Sequence, residues 1–321
     1  MKFFIPILLA LITLNSCGTN EIAEKSGNNA DSLYITDNFT LPKPEMGDFS
    51  NPKFSPDDSK LFFTSAGFKG IWYYDFSDSS VRQISSQNGT GYNFIFSGDG
   101  GKIYYQLPAS TISNGEQKYS LLEQNIKTGK INVLLTSEEK FLQLKYLEDG
   151  NIFFIQDNET KILNPDNNQI DKPENHQTKI VFNETNGVKK YYKGEEKELV
   201  STDKNIIWVE ENPVNNKVLY YAIGEGAVVV DSSGVKETLG DFRAAKWSPN
   251  GNFILYMIDE DDGHRVTASD IYAYSVKNKN SFKLTNTTGV VEMNPVWSNG
   301  GDRIAFNTLD GFILSVKVKY E

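Results

Sequence analysis

Three lysines occupy the same place in a recurring phrase. Lys53, Lys145 and Lys246 each stand directly before the aromatic that opens it, where other copies have Ile95 and Val296. Gathered at one level, three ammonium groups could hold an anion or a carboxylate; equally, their stems could lie along neighbouring rings with the charge reaching solvent. Asp48, Asp241 and Glu292 come just before the same segment and form a second candidate set. They could make an acidic mouth, or cap turns through their side-chain oxygens. The sharpest charge cluster is Asp259-Glu260-Asp261-Asp262-Gly263-His264. Asp259, Asp261 and Asp262 are weak candidates for calcium, because the run lacks the alternating spacing of a calcium loop and reads first as a solvated segment. His176 and His264 are the only histidines, too few for an imidazole-rich metal site. No cofactor is therefore expected, calcium excepted. Two Ser-x-x-Lys strings, Ser137 to Lys140 and Ser201 to Lys204, lie in strand connections and read as chance.

The elements that must position these residues are hairpins. The phrase is an aromatic, a Ser-Pro-Asp-Gly-like turn, a Lys or Asn, then an apolar pair. It runs Phe54-Ser55-Pro56-Asp57-Asp58-Ser59-Lys60-Leu61-Phe62-Phe63, and returns from Phe96, Trp247 and Trp297. Weaker copies start at Tyr146 and Glu211. Pro, Asx and Gly supply a tight turn between β-branched and aromatic strands. Two further strands follow in most units, and four antiparallel strands recurring about every 40 to 50 residues specify an all-β chain, a β-propeller. Six blades are expected, with seven as the alternative. The difference turns on residues 178–201, either an insertion in blade three or a degenerate seventh blade without its inner strand. The last unit lacks an outer strand, and Ser32-Leu33-Tyr34-Ile35-Thr36 has the missing pattern, so an N-terminal strand is expected to close the ring.

The chain has 321 residues, a net charge of −10 and a sequence pI near 4.9. No cluster of Lys and Arg suggests a nucleic-acid surface. Lys2, the apolar run from Phe3 to Leu14 and the small residues after it mark residues 1–16 as a secretory signal. The only cysteine, Cys17, follows directly. Residues 17–31 then read as a polar tether, and 32–321 as the propeller.

Leu14, Ser16 and Cys17 resemble the lipobox of bacterial lipoproteins, which implies lipidation of Cys17; Gly18 in place of an aspartate then favours the outer membrane. The Phe/Trp-Ser-Pro-Asp-Gly-x-Lys-Ile-x-Phe phrase resembles the WD40-like repeat of the TolB propeller family, over about Asp48 to Val318. That resemblance implies the architecture and leaves activity open. Relatives of this repeat precede serine-peptidase domains, but the chain holds no Gly-x-Ser-x-Gly. The loops opposite the stereotyped turns are long and varied, where binding usually resides. The expectation is thus a monomeric, non-enzymatic, lipid-anchored scaffold binding an envelope protein, peptide or glycan. The alternative is a glycan-active or metal-dependent enzyme, a lyase or hydrolase, with its site at the channel mouth.

Overall fold

The recurring turn closes on its own side chains. Ser55 Oγ donates to Asp57 Oδ1 at 2.6 Å and accepts the Lys60 amide at 3.0 Å, while the Ser55 amide reaches the Lys60 carbonyl at 2.9 Å. Ser97 with Asp99, and Ser248 with Asn250, repeat the arrangement at 2.5 and 2.7 Å. The fourth turn position requires left-handed backbone: Gly100, Gly251 and Gly301 take it, and Asp58 takes it at φ 56°.

The computed structural model describes residues 33–41, 47–108, 118–264 and 266–320. Cys17, the signal segment and the tether lie outside these residues, as do positions 42–46 and 109–117 of the loops expected to carry binding. The described chain is a seven-bladed β-propeller, not the six-bladed one expected. Blade 1 contains Phe49–Phe54, Lys60–Ser65, Lys69–Asp75 and Ser80–Ser85. Blade 2 contains Ile95–Phe96, Lys102–Pro108, Tyr119–Asn125 and Ile131–Ser137, and blade 3 Leu142–Tyr146, Ile152–Gln156, Glu159–Asn164 and Gln169–Asp171. Blade 4 has three strands, Ile180–Glu184, Gly187–Tyr192 and Glu195–Ser201. Blade 5 holds Ile206–Glu211, Val218–Ala222, Gly226–Val230 and Lys236–Gly240; blade 6 holds Arg243–Trp247, Phe253–Asp261, Val266–Ser275 and Asn280–Lys283. Blade 7 is Glu292–Trp297, Arg303–Thr308 and Ile313–Tyr320, with Leu33–Thr40 paired antiparallel to the last of these.

The count of seven follows from packing. In blade 1, Leu61 and Phe63 face Ala305 and Ile313 of blade 7, while Phe62 faces Phe94 and Ile103 of blade 2. In blade 4, Ile180 and Phe182 face Leu147 and Phe153 of blade 3, while Val181 faces Ile206 and Val218 of blade 5. Ile180–Glu184 is therefore equivalent to the second strand of the other blades, and blade 4 has no inner strand ahead of it. Lys179-Ile180-Val181-Phe182 repeats the latter half of the phrase, as in Lys102-Ile103-Tyr104-Tyr105. Its aromatic and turn are absent along with the missing strand. Burial of aromatics such as Phe62, Phe153 and Phe182, each 0% exposed, stabilises the ring by about 1.5–3 kcal/mol apiece.

Blade 7 meets blade 1 through polar contacts as well. Asp58 accepts the Asn299 and Gly300 amides at 2.8 and 2.7 Å. Gly311 (φ 77°) lies so close to blade 1 that a Cβ there would fall 2.3 Å from the Asp48 Cα.

Candidate functional site

The inner strands are bent where they face the axis. Register shifts between Ser50 and Lys53, Leu142 and Lys145, Arg243 and Lys246, and Met293 and Val296 mark a bulge in each. Within each bulge one residue is left-handed: Asn51, Gln143, Ala244 and Asn294, at φ 53°, 51°, 49° and 53°. Asn93 (φ 55°) does the same before the short inner strand of blade 2. Asn tolerates this backbone, and a bulge re-aims its side chain.

The bulges surround an axial cavity of about 840 Å³, to which all seven blades contribute. Asn51, Asn93, Gln143, Asn183 and Asn294 line it with carboxamides. Gln143 donates to the Asn183 carbonyl at 2.6 Å and accepts its amide at 3.3 Å, a bond that the missing inner strand of blade 4 leaves open to the channel. Asn294 donates to Asn307 Oδ1 at 2.9 Å. Phe68 and Tyr92 also line the cavity, half-exposed and packed edge to face at 5.1 Å.

Lys53, Lys145 and Lys246 line the same cavity, two residues beyond the left-handed positions. Their surroundings differ. Lys53 Nζ donates to the Phe94 carbonyl at 2.8 Å and sits 5.3 and 5.6 Å from the Phe94 and Phe96 ring centroids. Burial, and secondarily the charge of Lys246, push its ammonium down to about 8. Lys145 Nζ donates to the Val181 carbonyl, and burial takes it down to about 8 against the opposing pull of Glu211 and Glu210. Lys246 is exposed and pairs with Glu210 Oε2 at 3.1 Å. Glu210 stands opposite Leu219 as Lys145 stands opposite Phe153 and Lys246 opposite Leu255, so blade 5 puts a carboxylate where three blades put a lysine. The carboxamides and Glu210 were not anticipated as site residues. The pattern of an Asx or Gln two residues before the lysine position was legible at Asn51 and Gln143.

The second candidate set does not assemble. None of Asp48, Asp241 and Glu292 lines the cavity. Asp48 is exposed and its carbonyl accepts the Ala66 amide at 3.2 Å. Asp241 accepts the Tyr221 hydroxyl at 2.5 Å and Arg243 Nε at 3.1 Å. Glu292 is 2% exposed, accepts the Thr285 hydroxyl, and is pushed up to about 7 by burial. The acidic run lies largely in an extended hairpin: Asp259 opposite Ser269, Asp261 opposite Val266. Asp259 Oδ2 is taken by Arg243 at 2.7 Å, and the Asp261 and Asp262 carboxylates accept the Gly263 and His264 amides. His176 lies beside Asp149 and Asp171, away from the channel.

No family model matches the chain, and no curated protein does. Among solved structures it is similar to an oligogalacturonate lyase from Vibrio parahaemolyticus, with a TM-score of 0.48 and 12% identity over 85% of this chain and 79% of that one. It is also similar to an oligogalacturonate lyase in complex with manganese, with a TM-score of 0.44 and 12% identity over 84% and 76%. Both similar structures are lyases and one holds manganese, unlike the non-enzymatic, cofactor-free scaffold expected from the sequence. Likeness at this level transfers neither substrate nor residues. The side chains here do not fit manganese: among the described residues no group of three or more His, Cys, Asp or Glu could hold a metal, and the channel polar groups are mainly ammoniums and amides.

Proposed function

We propose that this chain is a cell-envelope enzyme that acts on an acidic saccharide held in the axial channel. One observation carries the reading. In a protein of net charge −10, the channel wall presents three ammonium groups against two carboxylates, with carboxamides beside them. An ammonium facing a cavity attracts a substrate carboxylate, and amides hydrogen-bond to its oxygens and to hydroxyls. Phe68 and Tyr92 at the rim offer apolar faces to sugar C–H groups.

The chemistry suited to such a wall is β-elimination next to a uronate carboxylate. Lys246 and the amides neutralise the carboxylate, which acidifies the neighbouring C–H. Lys53, with a neutral fraction set by its value of about 8, takes that proton. The bond to the glycosidic oxygen breaks as the C=C bond forms, and the ammonium of Lys145 protonates the departing oxygen. No step runs through a metal. The repeats are read as TolB-type, the chain as a monomer without nucleic-acid partners, and Cys17 as its lipid anchor in the outer membrane.

The test is incubation with galacturonate, glucuronate and mannuronate oligomers, with a neutral glycan as control and with chelator in parallel. The expected result is an ultraviolet-absorbing unsaturated product from a uronate, retained in chelator and lost in Lys53→Met. Absence of product from all three uronates overturns the reading. Membrane release of Cys17→Ala checks the anchor independently.

A further inference from the structure

Among the channel lysines, Lys53 has surroundings of a different kind. Among the described residues no carboxylate lies within ion-pair distance of it, whereas Lys246 is tied to Glu210 and Lys145 lies in the field of Glu210 and Glu211. Its side chain lies over two phenyl rings, its Nζ is held by a single backbone carbonyl, and it opens on a cavity large enough for a small organic acid. A second cation, Lys246, lines the same cavity, and Asn51 and Asn93 stand on the flanking inner segments. An amine that is desolvated, next to another cation and free of a carboxylate is the arrangement that makes lysine a nucleophile towards carbonyl carbon.

We infer that Lys53 is a covalent carbonyl-binding site, its amine condensing with the aldehyde or keto group of a ligand that also carries a carboxylate. The inference rests on the reading of the channel as an acid-binding site, and not on elimination. The nitrogen lone pair attacks the carbonyl carbon to give a carbinolamine. Its hydroxyl then leaves as water with a proton from solvent, and a C=N bond replaces the C=O bond. No oxidant or reductant is consumed. The ligand carboxylate pairs with Lys246, which draws the carbonyl to Lys53. The reducing end of an acidic saccharide has this combination of groups, as does a short keto acid. Burial and the nearby charge, which push the Lys53 ammonium down to about 8, leave free amine near neutrality.

The experiment is reductive trapping on the full chain with glyoxylate and cyanoborohydride near pH 8, followed by proteolysis and mass mapping. Lys53 is expected to gain a carboxymethyl group at least about tenfold faster than the exposed Lys204. Labelling should saturate with glyoxylate, fall when acetaldehyde replaces it, and fall when a uronate oligomer with a reduced end competes. Lys53→Arg should remove the label at an unchanged melting temperature, and Lys246→Gln should weaken the preference for the acid. Equal labelling of Lys53 and Lys204, or no label on Lys53, overturns the inference; because wild-type labelling carries that comparison, poor folding of a variant does not blur it. Uronate cleavage without trapping defeats the imine and leaves the elimination standing. Trapping without cleavage does the reverse.

Discussion

Two walls of one channel handle the same residue differently. On the side of blades 1 and 2, Lys53 faces a carbonyl and two phenyl rings. On the side of blades 5 and 6, Lys246 faces Glu210 and solvent. Both lysines hold one register position in one kind of strand. The element across the interface makes the difference: an aromatic segment withdraws water and offers no counter-charge, whereas Glu210 supplies one and leaves the ammonium hydrated. Equivalent strand positions thus hold a desolvated amine on one wall and an ordinary ion pair on the other.

The strongest way to break this contrast is to compare turnover. Lys53→Met should cut uronate cleavage by about 10²- to 10⁴-fold, the usual share of a proton acceptor, whereas Lys246→Gln should weaken substrate capture far more than turnover. Equal losses in kcat for the two variants would show that the walls do not differ.

Stability against pH sharpens it next. Among the described residues no cation lies within ion-pair distance of the buried Glu292, which follows the rule of the Lys53 wall with opposite sign. Its folded value of about 7 lies above its ordinary 4.5, so its stability is complete below 4.5 and is lost as pH rises through 7. At about 1.36 kcal/mol per pH unit, the loss is on the order of 3 kcal/mol, and Glu292→Gln should remove that slope in denaturant titrations. Lys53 has a depressed value, so its cost is complete below about 8 and disappears as pH rises towards 10.5. Lys53→Met should therefore raise stability at neutral pH, by on the order of 3 kcal/mol, and flatten the alkaline rise.

The smallest effects belong to the exposed charges. A double-mutant cycle on Lys246 and Glu210 should give a coupling of about 0.2–1 kcal/mol that falls with added salt. Reversal of Asp48 and Asp241 together should leave kcat/KM within about twofold, since exposed charges outside the cavity are screened by salt. A large loss from that pair would move the functional surface out of the channel and onto the loop face.

Sequence by itself determined the hairpin, because Ser, Asp and Gly at fixed offsets bond to their own backbone and need no distant partner. It also determined that the face holding Lys53, Lys145 and Lys246 is shared, since strand periodicity places equivalent positions of each repeat alike. Only the tertiary structure decided that residues 180–201 form a blade. The cue there is four residues, Lys179 to Phe182, and their alternation acquires meaning only when blades 3 and 5 take up opposite sides of the strand. It likewise decided which candidate charges meet. Asp48, Asp241 and Glu292 share a position in their repeats, but Asp48 is exposed outside the cavity, Asp241 joins Arg243, and Glu292 is buried and accepts the Thr285 hydroxyl. The state of each lysine was beyond local reading for the same reason: burial and counter-charge come from the neighbouring blade, and adjacency around a ring is a property of closure that no single repeat encodes.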